Sequence, residues 1–319
     1  MHHFVERENQ SVHPMPSLCE YFPPTVRFME VLSRTSWQQQ QLQHHDAVYQ
    51  KIGAYLEQRS AQGRDAVTDF LFEYYSFRPS LLARWSPGIL VFLEETSPEE
   101  VHPTASWFVE NGGIRLNSTL PQKRIQPLKW IIGMLEQTET RPPRLGCMGL
   151  HEWAMVYKTT PRHNAIPLRL PAAEVEMVVE RFPIRCTHFD AFRFFSEPAK
   201  PLNQFQPTRE HFDRFEQPGC LHTNMDLYKW AYKFYPFVPS TLLWDCFLLA
   251  WDVRQLDMQA SPYDLRSRGM EPVCIETVEG QQEYLRRQEG FFERGKPLRR
   301  RLITVLTSLL DAQEAQTGG

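Results

Sequence analysis

Ser240-Thr241-Leu242-Leu243-Trp244-Asp245-Cys246-Phe247-Leu248-Leu249-Ala250-Trp251-Asp252-Val253-Arg254-Gln255-Leu256-Asp257-Met258 is the stretch that decides the fold. Leu242, Leu243, Phe247, Leu248, Leu249, Ala250 and Trp251 leave almost no polar face on a helix. A helix that is apolar all round belongs in an interior. Pro239-Ser240 is a natural start for it and Ser261-Pro262 a natural end. Asp245 and Asp252 are seven apart and share nearly one stripe, with Leu249 between them. Carboxylates in such surroundings need cations, a metal or protons. Arg185, Lys229 and Arg193 are the cations at hand.

Working outward, helical patterning recurs. Val48, Ile52, Tyr55 and Leu56 predict an amphipathic helix over 36–62, stopped by Gly63. Asp69–Pro79 reads as a short buried helix ended by its proline. Further helices are predicted at Ile125–Gln137, Leu150–Tyr157, Ala172–Arg181, Asn224–Phe234 and Ser240–Met258. Residues 278–312 form one long polar helix or two, interrupted near Gly295-Lys296-Pro297. Short extended pieces are expected at Pro167–Leu170 and Glu271–Thr277. The pattern breaks over 88–117, where Gly88–Leu93 reads as a strand and Ser106–Leu116 as a hairpin turning at Asn111-Gly112-Gly113. The fold class is therefore mainly α: a single helical domain over 36–312 with a small β element. An irregular arm, 1–35, precedes it, and a disordered tail, 313–319, follows.

The chain has 319 residues, 42% hydrophobic, 13% aromatic and 23% charged, enough for a substantial core. A formal net charge of −3 does not fit a protein whose whole surface grips a duplex backbone. The six cysteines are scattered and form no CxxC pair. No secretory signal and no run of about 20 apolar residues is present. A cytoplasmic protein with reduced thiols and no membrane partner is expected. Nothing in the sequence speaks to oligomeric state.

Ionisable residues cluster between Pro143 and Leu265, embedded among aromatics. His188 and Asp190 alternate with apolar residues. In an extended segment they would face one way as a poised acid/base pair, or as a metal ligand with its partner. His222 and Asp226 stand four apart with Lys229 three further on, although Thr223-Asn224 as a helix cap would leave His222 just outside. His151-Glu152 follows two glycines at a tight helix entry that could bind an anion. Cys147, Cys186 and Cys220 each lie near a histidine, a mixed zinc set or three core thiols. Trp153 and Phe189 could stack on a flat ligand, or belong to the core. Arg286, Arg287, Arg294, Lys296 and Arg299-Arg300-Arg301 could meet phosphates, or form a solvated helix face.

Several blocks carry a family resemblance. They are Tyr74-Tyr75-Ser76-Phe77-Arg78-Pro79, Gly149-Leu150-His151-Glu152-Trp153-Ala154-Met155-Val156-Tyr157, Arg185–Phe195, Gln217-Pro218-Gly219-Cys220-Leu221-His222, and Leu256-Asp257-Met258 with Ala260–Leu265. Across roughly residues 65–300 the sequence resembles a group of bacterial proteins described as 3-methyladenine DNA glycosylases. The resemblance implies cleavage of an N-glycosidic bond to a damaged purine, hence DNA repair. Trp85-Ser86-Pro87-Gly88 stands where that group has Trp-His-Pro-Gly. The Gly-rich helix-hairpin-helix of the well-known helical glycosylases is absent.

The leading expectation is an N-glycosidic bond hydrolase acting on a modified purine in nucleic acid or a nucleoside, with no cofactor. His188, Asp190, Asp252 and Glu152 are its catalytic candidates. His151, Trp153, Arg185, Phe189, Arg193 and Lys229 are its substrate-binding candidates. The alternatives are a metal-dependent oxidoreductase and a non-catalytic nucleic-acid-binding protein. The oxidoreductase would hold iron or manganese through residues such as His151, His188, His222 and Asp226.

Overall fold

The computed structural model describes residues 29–63, 67–160 and 166–317. It is predominantly helical with one small sheet. The sheet consists of β1 (Glu30–Leu32), β2 (Val91–Glu94), β3 (Trp107–Glu110) and β4 (Gly113–Leu116), in the order β1-β2-β4-β3. β1 runs parallel to β2, and the other pairs are antiparallel. The hairpin turns at Asn111 and Gly112, whose φ values of 50° and 78° suit the two left-handed positions of a tight turn. The turn sits where the sequence predicts it. The strand in 30–32 does not, because its partner lies some 60 residues away and no local pattern announces it. The rest of the expected arm, 1–28, lies outside the described residues.

The helices are α1 (Arg34–Gln62), α2 (Phe70–Glu73), α3 (Pro79–Leu82), α4 (Pro98–Val101), α5 (Ile125–Thr140), α6 (Leu150–Val156), α7 (Ala172–Arg181), α8 (Phe189–Phe192), α9 (Phe212–Phe215), α10 (Leu221–Lys233), α11 (Ser240–Gln259) and α12 (Val278–Thr317). Pro79 starts α3 rather than ending a helix, since its missing N–H costs nothing in a first turn. α12 is continuous through Pro297 and reaches into the expected tail. At 1.5 Å per residue it is about 60 Å long.

α11 is the central helix, packed against α10 and α12, and α12 also lies along α5 and α10. Leu242, Leu243, Phe247, Leu249, Ala250 and Val253 are wholly buried. A smaller apolar cluster under the sheet contains Trp37, Trp85, Val91, Leu93, Val101 and Ile114.

What carries α12 through its proline is a polar clasp. The Arg299 side chain is wholly buried, donating to Glu139 of α5 at 3.0 Å and to Asn224 Oδ1 of α10 at 2.9 Å. One turn earlier Gly295 leaves room for Asn224: a Cβ there would stand 2.1 Å from Asn224 Oδ1. The guanidinium thus ties three helices together where a proline removes one backbone hydrogen bond.

Arg299→Ala should therefore cost about 3 kcal/mol, because it strands buried acceptors. Arg301→Ala, which opens a half-exposed pair with Asp245 at 2.7 Å, should cost less than about 1 kcal/mol. Urea denaturation of both variants checks this. Equal losses would mean the clasp does not hold the helices.

Candidate functional site

Segments distant in sequence converge on one cavity of about 290 Å3. Phe70, Tyr74, Phe194 and Tyr263 give it aromatic walls, while Glu152, His188, Asp190, His222, Asp226 and Arg254 give it polar ones.

α10 supplies the first set. It starts at Leu221, so His222 lies inside the helix rather than before it. His222, Asp226 and Lys229 then follow at positions i, i+4 and i+7 of one face. Lys229 Nζ donates to Asp226 at 2.9 Å and to Asp190 at 3.1 Å. Tyr75 Oη donates to the other Asp226 oxygen at 2.9 Å. Arg193 stands 3.3 Å from Asp190. His188 and Asp190 are not in an extended strand: His188 caps α8 and Asp190 occupies its first turn. Both nevertheless face the cavity. Burial opposes the Asp190 charge, but Lys229, His188 and the Tyr74 hydroxyl together outweigh it and hold the carboxyl below its ordinary range.

α6 and α11 supply the second set. His151 Nε2 donates to Asp257 Oδ1 at 2.7 Å, and Arg254 donates to Asp257 Oδ2 at 2.8 Å. Arg254 also lies 3.6 Å from Glu152. Burial raises the Glu152 pKa, and the negative Asp257 nearby raises it further. Glu152 is thereby held toward its protonated form while Asp190 is held ionised.

Three histidines link the two sets. The His222 ring lies edge-on to His151 at 4.6 Å and stacks on His188 at 5.1 Å. His188 Nδ1 donates to Glu216 at 2.8 Å, and Thr223 Oγ1 donates to the other Glu216 oxygen at 2.6 Å. Burial works against charge on both outer rings, yet Asp257 raises the pKa of His151 and Glu216 that of His188. Burial and the charged His151 push His222 well down, so the middle ring stays neutral.

The structure separates the residues that the sequence groups together. His188, Asp190 and Glu152 line the cavity. Asp252 does not: it sits part-exposed on α11 and pairs with Arg294 of α12 at 2.8 Å, as Asp245 does with Arg301. The stripe faces α12, a neighbour no local pattern reveals. His151 lies behind His222 rather than on the cavity wall. Trp153 is core: it is fully buried, and its indole N–H donates to the Ala260 carbonyl at 2.8 Å. Arg185 is on the surface. Phe189, Arg193 and Lys229 line a neighbouring pocket instead. The glycine entry to α6 serves packing, since a Cβ on Gly149 would press on Ala260 and Tyr284 at 3.2 Å.

The sequence reading missed Asp257, Arg254, Glu216 and Tyr75. Arg254 and Asp257 do stand three apart on an otherwise apolar helix, a spacing that marks an internal ion pair. The basic run of α12 is largely neutralised by Asp252, Asp245, Glu139 and Glu293.

Among the described residues two groups have ligand atoms within 4.8 Å of one another: His151, His222 and Asp257, and His188, Asp190 and Asp226. The four candidate metal ligands thus split between two groups, and neither contains a cysteine, which sets aside a mixed zinc site. The five described cysteines are free. Each group already has protein cations on its carboxylates: Arg254 on Asp257, and Lys229 on both Asp190 and Asp226. A metal ion would have to displace them, so the donor sets fit a cation poorly.

Comparison with known protein families, with curated proteins and with solved structures finds no match for this chain.

The His151–Asp257 pair makes a pH-dependent prediction. The His151 pKa is raised above its ordinary 6.5, so its contribution is full below that pH and fades as pH climbs through the raised value. The Asp257 pKa is lowered from 3.8, so its contribution is full above that pH and is lost on further acidification. The stability gap between the native chain and Asp257→Asn should be widest between these two values and narrow at higher pH. Denaturation across pH checks this; a gap that keeps growing as pH rises above 6.5 would contradict it.

Proposed function

We propose that the chain hydrolyses an N-glycosidic bond, releasing a purine-like base. The observation that carries this reading is one aromatic-walled cavity with two carboxyl groups whose pKa values are pushed apart, Glu152 up and Asp190 down. Such a separation marks an acid and a base working together. A cavity of about 290 Å3 suits a flat heterocycle rather than a large ligand.

In this reading the base lies among the aromatic rings. As the bond from the sugar C1′ to the base nitrogen breaks, Glu152 gives its proton to the departing base. Asp190 faces the developing oxocarbenium charge and takes a proton from the water whose oxygen adds to C1′. His188, fixed by Glu216 and with its pKa raised by it, helps keep Asp190 ionised. His222 offers a neutral ring nitrogen to the ligand. Asp252 has no part. No metal is needed, because Lys229 and Arg254 already supply the positive charge.

Chromatographic detection of free base from alkylated DNA, alkylated oligonucleotides and purine nucleosides tests this. Glu152→Gln and Asp190→Asn should each lower turnover by about a hundredfold or more with the fold intact, whereas Asp252→Asn should leave it unchanged. Activity should need Asp190 ionised and Glu152 protonated, so its alkaline limb should vanish in Glu152→Gln. Dialysis against a strong chelator should leave turnover intact. Full activity in both carboxylate variants, or activity abolished by the chelator and restored by metal, would overturn the reading.

A further inference from the structure

Beyond the ion pair of Lys229 and Asp190 lies a second and larger pocket of about 690 Å3. Asp190 lines both spaces, so this pair is the partition between them. The second pocket carries Arg124, Arg193, Arg209, Lys229 and Lys233, and Asp190 is the acidic residue among its described lining residues. Arg193 and Lys229 are matched to Asp190. Among the described residues, Arg124 and Lys233 are matched to no carboxylate within ion-pair distance. Arg124 donates instead to the Lys233 carbonyl and lies over the Phe234 ring at 4.9 Å. Burial depresses the Lys233 pKa, and the adjacent positive Lys229 and Arg124 depress it further. Cations held close together and not paired with a carboxylate favour an anion.

The pocket is also aromatic. Trp130 is 44% exposed, a large amount for an indole beside Trp230 and Phe212, with ring centroids 6.0 and 6.2 Å away. The basic residues of α12, by contrast, have acidic partners and offer no comparable excess.

We propose that this pocket is a phosphate subsite: it holds a phosphate ester of the sugar whose base enters the inner cavity. The assignment of substrate class rests on the glycosidase reading; the anion site itself does not. Arg124, Lys233 and Arg209 contact the phosphate, and the Lys229–Asp190 partition marks where the sugar lies. The same chemistry is offered by a mononucleotide and by a phosphodiester in a single strand.

Calorimetry with ribose and with ribose 5-phosphate, and anisotropy with a labelled single-stranded oligothymidylate, test the subsite on the full chain. Ribose 5-phosphate should bind and ribose should not. The double variant Arg124→Gln/Lys233→Gln should weaken phosphate binding about tenfold or more. Arg209→Gln, on an exposed loop, should weaken it independently of any effect of the double variant on folding. Arg301→Gln removes the same charge elsewhere and should change nothing. A strand that binds far more tightly, with a salt slope of about −0.7 per phosphate contacted, identifies a phosphodiester. Equal affinity for both probes identifies a mononucleotide. Failure of both phosphate probes to bind, or affinity unchanged in both the double variant and Arg209→Gln, overturns the proposal. Glu152→Gln should bind the probes as the native chain does. Probe binding without base release from any substrate would therefore sink the hydrolase reading and leave the anion site standing.

Discussion

Charged groups stay inside this helical core because each buried carboxylate has a fixed partner. Lys229 spans Asp190 and Asp226, Arg254 holds Asp257, and Glu216 and Asp257 each take a histidine. Removing charge from water costs several kcal/mol per ion unless a partner and hydrogen bonds offset it. The pairing also fixes geometry. It demands that α10 and α11 lie side by side with α6 and α8 at one end, which is where the cavity forms. Arg299 performs the same service further along, holding α12 against α5 and α10.

The same pairing sets the chemistry. Lys229 keeps Asp190 charged, whereas Glu152 sits beside the anionic Asp257 and shares Arg254 with it. Two carboxyl groups on one cavity thus have pKa values pushed in opposite directions because their neighbours differ in sign. The histidine row follows the same logic: the outer rings have carboxylates that raise their pKa values, while the middle ring lies between them and is pushed well down toward its neutral form. Electrostatics among largely buried groups, rather than unusual residue types, distinguishes this site from ordinary core.

Much of the helical fold was legible because periodicity is local. α7 falls at its predicted bounds, and α1 and α11 begin or end within a residue or two of theirs. The hairpin was legible from Asn111-Gly112. β1 was not, since parallel pairing with β2 depends on distant sequence. Within the site, His188, Asp190, His222 and Asp226 stood out as ionisable residues among aromatics. The misreading of Asp252 has a clear cause: a helix apolar all round has no pattern to say which side meets charged neighbours. Arg294 and Arg301 on α12 provide them. Likewise the unmatched cations Arg124 and Lys233 come from the start of α5 and the end of α10, and only the fold brings them together.

The opposed protonation of Glu152 and Asp190 is the claim on which the rest turns. Isotope-edited infrared or carboxyl NMR titration, with Glu152→Gln and Asp190→Asn to assign the signals, measures it directly. Glu152 should titrate above the 4.5 of a free glutamate, and Asp190 below the 3.8 of a free aspartate. A Glu152 already ionised in the ordinary range, or an Asp190 that takes up its proton above that range, would contradict the account.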